Sequence, residues 1–114
     1  MTADEFRQLA LAIPNTRCVT RLGAIEFQIQ DATFAALGAP DPTLATLRLA
    51  PDTQAKALAA DPHTFAPQAG GAGARGVTCV RLARARPETL APFLAAAASK
   101  ARNRRSNLTT LGRR

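Results

Sequence analysis

The sequence predicts an α+β domain with an antiparallel sheet of about five strands and helices packed on one face, in the order α-β-β-β-β-α-β-α. Three observations predict this class. An apolar stripe of helical period follows the N-terminus, and four runs of strand character joined by short turns come next. A glycine-rich stretch at 70–76 then leads into a run rich in β-branched residues at 77–82. Short connections between consecutive strands favour an antiparallel arrangement.

The first helix is predicted over residues 3–13. Thr2 and Glu5 have the spacing of a capping box, which satisfies free N–H groups at a helix start. Pro14 ends the helix because the residue before a proline disfavours the helical conformation. The apolar face is formed by Phe6, Leu9, Ala10 and Ile13.

Four strands are predicted to follow, at 17–21, 25–30, 33–37 and 43–49. In the second and fourth strands apolar and polar residues alternate, so one sheet face should be apolar and the other mostly polar. In the third strand the same alternation puts Phe34 and Ala36 on one side. A loop is predicted at 39–42, since its two prolines cannot donate to a strand ladder.

The second half of the chain predicts a helix from Pro51 to about Asp61, an extended stretch anchored by Phe65, and a strand at about 76–82. The last helical region opens at Pro87. Because an interior proline is costly, either its regular part begins near Thr89 or it is kinked at Pro92. Its buried stripe comprises Leu90, Phe93, Leu94, Ala97, Ala98 and Ala101.

Periodicity fades beyond Arg102, so we expect a single domain over 1–102 and a basic, flexible C-terminal tail over 103–114. A chain of 114 residues supports one modest core. No apolar run approaches the ~18 residues of a membrane span, so no membrane association is expected. The N-terminus has acids instead of a signal-peptide pattern, which favours a cytoplasmic location.

The two cysteines, Cys18 and Cys79, have neither a redox nor a zinc spacing. Both fall in predicted strands, where we expect buried free thiols; a disulfide or a reactive thiol is the alternative. His63 is the only histidine, and we expect it to face solvent. No acid/base pair stands out, and no cofactor or metal is expected.

The net charge is +7, and it is concentrated at one end of the chain. Residues 1–97 hold nine Lys and Arg and eight acids, whereas 98–114 hold six Lys and Arg and no acid. Such a tail can neutralise phosphates, although it can equally be a solubilising end. Cations after a helix also interact favourably with the helix dipole.

The glycine-rich stretch is interpreted either as a phosphate cradle or as a flexible excursion between strands. It is not a P-loop, since no Lys-Ser/Thr pair follows it and it precedes a strand. Arginines at its tip and just beyond it form a second cationic group. The predicted DNA-binding residues are Arg75, Arg81, Arg84, Arg86, Lys100, Arg102, Arg104 and Arg105.

Several segments, taken in their order and spacing, resemble the MmcQ/YjbR family of small bacterial proteins. The resemblance covers nearly the whole chain, from Thr2 to about Ala101. The segments that carry it are Glu5-Phe6-Arg7 through Pro14, the strands around Phe27 and Phe34-Ala35-Ala36-Leu37-Gly38, Leu47-Arg48-Leu49-Ala50-Pro51, Asp61-Pro62 with Phe65, and Gly73-Ala74-Arg75-Gly76 followed by Val77-Thr78-Cys79-Val80.

The resemblance implies a CyaY-like fold related to frataxin, and DNA binding through a double-wing arrangement of hairpins. Family members usually carry tryptophans beside the glycine-rich loop, where this chain has Ala72 and Val77. A base-stacking contact would then be absent, or the loop would be slacker. An acid often follows the Thr-x-Val motif, whereas this chain has Arg81, which favours an anionic partner.

The function we predict is non-enzymatic DNA binding, with mainly electrostatic phosphate contacts and weak sequence selectivity. No aromatic residue is interleaved with the basic ones for base stacking. The alternative is an adaptor that binds a protein or small ligand, with the tail serving solubility. An enzyme that uses Cys18 or Cys79 is a third hypothesis, and the sequence identifies no protein partner.

Overall fold

The structure is a computed structural model that describes the backbone of residues 1–38 and 41–112 and the side chains of residues 1–38 and 41–103. The predicted loop at 39–42 is therefore described only at Asp41 and Pro42. Positions 39–40 and the last two residues of the predicted tail lie outside the described residues. The side chains of Arg104 and Arg105 do so too.

Six antiparallel strands form one sheet in the order β1-β2-β3-β4-β6-β5. The predicted α+β class is confirmed, with one strand more than expected, because the extended stretch around Phe65 pairs with β6 at the sheet edge. The elements are α1 (Ala3–Leu11), β1 (Arg17–Arg21), β2 (Ala24–Ile29), β3 (Ala32–Leu37), β4 (Leu44–Arg48), α2 (Pro51–Ala60), β5 (Phe65–Pro67), α3 (Gly71–Ala74), β6 (Val77–Arg81) and α4 (Pro87–Gly112).

The capping box predicted at the start of α1 is present. The Thr2 hydroxyl accepts from the Glu5 backbone N–H at 3.1 Å, and the Glu5 carboxylate accepts from the Thr2 N–H at 2.9 Å. These two bonds satisfy donors that a helix start otherwise leaves free. The helix ends at Leu11, two residues earlier than predicted.

The core lies between the sheet and the helices. Phe6 of α1 meets Phe27 of β2 with ring centroids 6.0 Å apart, and Phe65 of β5 meets Phe93 of α4 at 5.3 Å. The predicted stripe of α4 is buried, with Phe93 half-buried at its margin. Its three alanines let α4 approach β3 closely, because they project little beyond the helix backbone. They are Ala97, Ala98 and Ala101.

A β-bulge in β3 overturns one expectation about side-chain direction. Phe27 pairs with Ala35, but the next residue, Gln28, pairs with Thr33, so Phe34 is an extra residue in the ladder. Phe34 and Ala35 are both in the core, whereas Ala36 lies opposite Thr46, away from the core. The prediction that Phe34 and Ala36 share one side was wrong, since a bulge shifts the two-residue period.

The helix α4 begins at Pro87, so Pro92 lies inside it and not in its first turn. Pro92 has no N–H, and it therefore donates no bond to the preceding turn. The helix continues through Gly112, past Arg102, where the apolar periodicity fades. The predicted flexibility of the segment beyond Arg102 stays a prediction.

The glycine-rich stretch is not an irregular loop throughout, since Gly71–Ala74 forms one helical turn, α3. Two of its glycines are required by close approach of backbones. A Cβ at Gly73 would overlap the carbonyl oxygen of Gln68, and one at Gly76 would overlap that of Leu49. Gly76 also has φ +108°, which disfavours any other residue. The turn is therefore packed tightly against its neighbours.

A buried glutamine on α2 ties this turn to the sheet. The Gln54 amide nitrogen lies 3.1 Å from the Gly73 carbonyl, 3.2 Å from the Val77 carbonyl and 3.2 Å from the Thr78 hydroxyl oxygen. The Thr78 hydroxyl donates in turn to the Gly76 carbonyl at 3.0 Å. Because these groups are shielded from water, one side chain satisfies acceptors on two elements.

Two alanine substitutions in α3 test the close approach. Gly73→Ala is expected to destabilise the protein by more than about 2 kcal/mol, because the new methyl meets a backbone carbonyl that cannot move aside cheaply. Gly71→Ala is the control, since its methyl meets only the end of the Arg75 side chain, and it should be neutral or stabilising by up to about 1 kcal/mol. Urea unfolding measures both, and equal effects would contradict the packing described.

A second substitution tests the buried amide. Gln54→Glu keeps the side-chain size but turns carboxylate oxygens toward three acceptors, so a loss of at least about 2 kcal/mol is expected at neutral pH. Part of it should return at acidic pH, where a protonated carboxyl regains one donor. Gln30→Glu makes the same change at an exposed turn and should cost little. Denaturant unfolding of both variants at two pH values tests this expectation. An unchanged stability of Gln54→Glu would contradict the stabilising role of the Gln54 hydrogen bonds.

Candidate functional site

The face of the sheet opposite the helices, which we call the open face, has a floor of small residues. Across β2, β3, β4 and β6, cross-strand pairing aligns Glu26 with Ala36, Ala36 with Thr46 and Thr46 with Cys79. Residues directly opposite on neighbouring strands share a face, so all four lie on the open face. The side chains at the centre of this face are therefore short, and a ligand can approach the sheet closely there.

Arginines surround this floor. Strand alternation places Arg17 and Arg21 on the same side as Val19, whose partner is Glu26, and places Arg48 with Thr46 and Arg81 with Cys79. All four side chains are exposed. Arg17 makes a 3.8 Å ion pair with Asp31, and both of those side chains remain largely in solvent. The open face is consequently cationic as well as polar.

An open groove of about 590 Å³ lies on this face at the end of β4 and the start of β6. Three cations from different elements border it: Arg48 of β4, Arg75 after α3 and Lys100 of α4. Lys100 and Arg48 also border a smaller cavity, together with Thr33. Among residues 1–38 and 41–103, no carboxylate forms an ion pair with Arg48 or Arg75.

The glycine-rich turn forms one wall of the groove. Gln68, Ala72 and Val77 line it there, and the Arg75 guanidinium lies over Gly71, where a Cβ would come within 3.1 Å of it. The tight packing of the turn therefore helps to fix the position of the Arg75 backbone. Ala72 and Val77 are the positions at which the family resemblance leads one to expect tryptophan.

The groove is also bordered by an acid held in a polar cluster. One carboxylate oxygen of Glu26 accepts from the Thr33 hydroxyl at 3.1 Å and from the Gln28 amide at 3.4 Å, and Gln28 also donates to the Thr33 hydroxyl oxygen at 3.3 Å. The other carboxylate oxygen accepts no hydrogen bond from the described residues. Glu26 thus presents a positioned acceptor to the groove.

The predicted DNA-binding residues are divided between two ends of the sheet. Arg75 and Lys100 border the groove, whereas Arg81 lies at the other end of β6, about 13 Å further along the strand. Arg84 and Arg86 border a second pocket of about 460 Å³ there, together with Asp61 and His63. Arg102 is exposed on α4, and Arg104 and Arg105 have no described side chains.

The carboxylate in that second pocket is engaged by its neighbours. The Thr64 hydroxyl donates to Asp61 at 2.7 Å, and this bond, assisted by the backbone N–H groups of Thr64 and His63, lowers the pKa of Asp61 below its ordinary 3.8. The Arg81 guanidinium donates to the His63 carbonyl at 3.1 Å. This end of the sheet therefore combines an ionised acid with its arginines.

The two cysteines are free, and one of them departs from expectation. Cys79 is buried, and burial, assisted by the charge of Asp41, raises the pKa of its thiol. Cys18 is exposed, so the prediction that both thiols are buried was wrong for it. The reason is that β1 is the edge strand and its packing is chiefly against β2.

Sequence reasoning missed two groove residues, Arg48 and Glu26. A signal was available, since alternation in β4 places Arg48 on the polar face at the strand end, near the glycine-rich turn. What the sequence did not show is that β4 lies beside β6, which brings Arg48 toward Arg75. The burial of Gln54 could not be predicted from the sequence, because a glutamine in a helix is ordinarily exposed.

Two further classes of site were sought in the described part of the chain. None of its helices is long and apolar enough to cross a membrane. Nor does it bring together three His, Cys, Asp or Glu side chains that could hold a metal ion.

Comparison with solved structures finds a protein with the same fold. The crystal structure of Deinococcus radiodurans protein DR2400, whose domain belongs to DUF419, matches with a TM-score of 0.66 and 18% sequence identity. The match covers 84% of this chain and 75% of that one. DUF419 is the MmcQ/YjbR family, so this chain has a fold similar to that of a protein of this family. Family models and curated proteins give no match.

The lowered pKa of Asp61 leads to a test of acid stability. A carboxylate whose folded pKa is lowered contributes stability above its ordinary pKa of 3.8, and the contribution is lost as the pH falls through the folded value. Wild type should therefore melt at a higher temperature than Asp61→Asn near neutral pH, and the difference should vanish in strong acid. Glu88→Gln, the same change of charge at an exposed position, is the control. A difference that persists below the folded pKa would contradict this account.

Proposed function

We propose that this chain is a non-enzymatic DNA-binding protein that holds phosphates on the open face of its sheet. The observation that carries the proposal is the convergence of Arg48, Arg75 and Lys100 on one groove. Neither arginine forms an ion pair with a described carboxylate. Guanidinium groups bind phosphate oxygens through paired hydrogen bonds, and such contacts dominate the affinity of DNA-binding proteins.

The rest of the charge distribution supports the same partner. The open face adds Arg17, Arg21 and Arg81, and the chain as a whole carries a net charge of +7. Phosphate contacts of this kind position a nucleic acid without reading its sequence, so weak selectivity is expected overall. The groove lies beside the glycine-rich turn, which is where the family resemblance places a wing.

Membership of the MmcQ/YjbR family is part of the proposal, and it is supported by the shared fold and by the order of the matching segments. The relation to frataxin, the double wing and a cytoplasmic location stay predictions. Ala72 and Val77 make the groove wider than tryptophans at the same places would, and this leaves room for a ligand beside Arg75.

A second candidate is an adaptor that binds a small anionic ligand. The concavity favours it, since about 590 Å³ falls within the size range of small-molecule pockets. The two candidates differ in what competes for the groove. A small ligand would occupy it without the steep salt dependence that release of many counterions from DNA produces.

Paired arginine variants test DNA binding. Arg48→Ala with Arg75→Ala should weaken binding to a fluorescent duplex at least about tenfold. The slope of log affinity against log salt should also fall by about 0.9 for each phosphate that the variant no longer neutralises. Fluorescence anisotropy at several salt concentrations measures both quantities.

Two double variants serve as controls. Arg7→Ala with Lys56→Ala removes the same charge from exposed positions on helices α1 and α2, so it should leave most of the affinity. Arg84→Ala with Arg86→Ala tests the opposite end of the sheet. A larger loss of DNA affinity in this variant than in the groove variant would place the interface at that end of the sheet. An absence of salt-dependent binding by wild type would refute DNA binding.

A further inference from the structure

We propose that Leu22, at the tip of the hairpin formed by β1 and β2, inserts between two base pairs of duplex DNA from the minor groove and bends the duplex. This inference rests on the proposed function, because it concerns the same partner. It goes further in assigning a second contact, at the end of the sheet away from Arg48, and a preference for DNA that is easily unstacked.

The exposure of Leu22 is the first observation. Its side chain lies fully in solvent, and among residues 1–38 and 41–103 the only other exposed large apolar residue is Leu11, at 39%. Single exposed leucines are common on protein surfaces and need no partner. The backbone at Leu22 is what sets this residue apart.

The turn that carries Leu22 disfavours leucine. Leu22 has φ +52° and Gly23 has φ +80°, and Arg21 pairs with Ala24, so the two residues form a type I′ turn. Glycine, asparagine and aspartate are preferred in such a turn, because larger side chains are strained at positive φ. Leucine here strains the backbone and gains no burial in return.

The other tight hairpin of the sheet shows that the turn does not require an apolar residue. The turn between β2 and β3 has φ +51° at Gln30 and +68° at Asp31, which is the same backbone geometry. Both of these residues are polar and exposed. The apolar tip is therefore particular to the β1–β2 hairpin, and contact with a partner would supply the burial that the fold does not.

The surroundings of the tip favour DNA as that partner. A Cβ at Gly23 would meet no atom within 4 Å, and β1 is an exposed edge strand, so the tip is slender. Arg21 and Arg17 follow the open face directly behind it. Leucine is one of the side chains that proteins insert between base steps from the minor groove, and arginines beside it can hold the flanking phosphates.

The tip and the groove are close enough to contact one duplex. Ala24, which follows the turn, lines the groove. Arg48 lies three strands from Arg21, and it is four residues farther along the sheet, because Ala24 is two residues before Glu26 and Arg48 is two beyond Thr46 in the same row. With strands ~4.8 Å apart and a rise of ~3.3 Å per residue, the backbones at Arg21 and Arg48 are about 20 Å apart. At ~3.4 Å per base pair, this is the length of about six base pairs.

Insertion of a side chain makes affinity depend on how easily DNA unstacks. Separating two stacked base pairs costs least at a mismatch or at a flexible pyrimidine–purine step. Phosphate contacts elsewhere on the open face do not distinguish such sites. A preference for deformable DNA should therefore depend on Leu22.

The test compares a short, fully paired duplex with the same duplex carrying a central T·T mismatch, using the full chain and fluorescence anisotropy. Wild type should bind the mismatched duplex at least about threefold more tightly. Donor and acceptor dyes at the two ends of the duplex should show increased energy transfer on binding, since side chains inserted in this way bend duplexes by about 20–90°.

Leu22→Asn separates DNA binding from stability, because it removes the apolar tip and supplies a residue that the turn prefers. It should lose the mismatch preference and the bend, while its melting temperature stays equal to or above that of wild type. Leu22→Met keeps an apolar tip and should keep both signals. Gln30→Asn makes the corresponding change in the other hairpin and should keep them too.

Two results would overturn the inference. One is equal binding of the two duplexes by wild type, and the other is a bend or a mismatch preference that survives in Leu22→Asn, which would leave a protein as the partner of the exposed tip. Salt-dependent duplex binding without either signal would leave the proposed function standing alone. An absence of duplex binding would refute both.

Discussion

The amide of Gln54 is the interaction on which the arrangement of the open face depends. It links α2 to the glycine-rich turn and to β6 through acceptors that water does not reach. Without it, the Gly73 carbonyl would keep only its bond from the Gly76 N–H, and α2 would lose its hydrogen bonds to the turn and to β6. The turn would then be held less firmly against α2, and the position of Arg75 would be less fixed. A polar side chain in the interior thus determines the placement of a charge at the surface.

The two faces of the sheet differ in composition. The face toward the helices holds the phenylalanines and leucines of the core, and it provides the apolar burial that stabilises a domain of this size. The open face has small residues at its centre and arginines around them. A cationic rim around a shallow floor costs stability through mutual repulsion of the arginines, and an anionic partner relieves that repulsion.

Local patterns predicted most of the fold. The capping box, the alternating strands and the apolar stripe of α4 depend on neighbours in sequence, and each is present in the structure. What could not be predicted depends on distant residues. The bulge at Phe34 follows from the pairing of β2 with β3, and the exposure of Cys18 follows from the edge position of β1.

The candidate site was predicted only in part, for the same reason. Arg75 and Lys100 could be identified from charge along the chain, whereas Arg48 and Glu26 join them through strand order. The sequence analysis also grouped Arg75 with Arg81, Arg84 and Arg86, which are close in sequence but lie at or beyond the other end of β6. Extended strands separate sequence neighbours, and sheet pairing joins residues that are far apart in the chain.

The alanines of α4 also act as a spacer that sets the aperture of the groove. Lys100 lies between Ala98 and Ala101, both of which pack into the core. The small size of these side chains therefore sets how close the helix backbone at Lys100 lies to the sheet. A relative with leucine at one of these positions would hold its helix farther from the sheet and open the groove to a larger anion. The width of the groove thus depends on residues of the core as well as on the residues that line it.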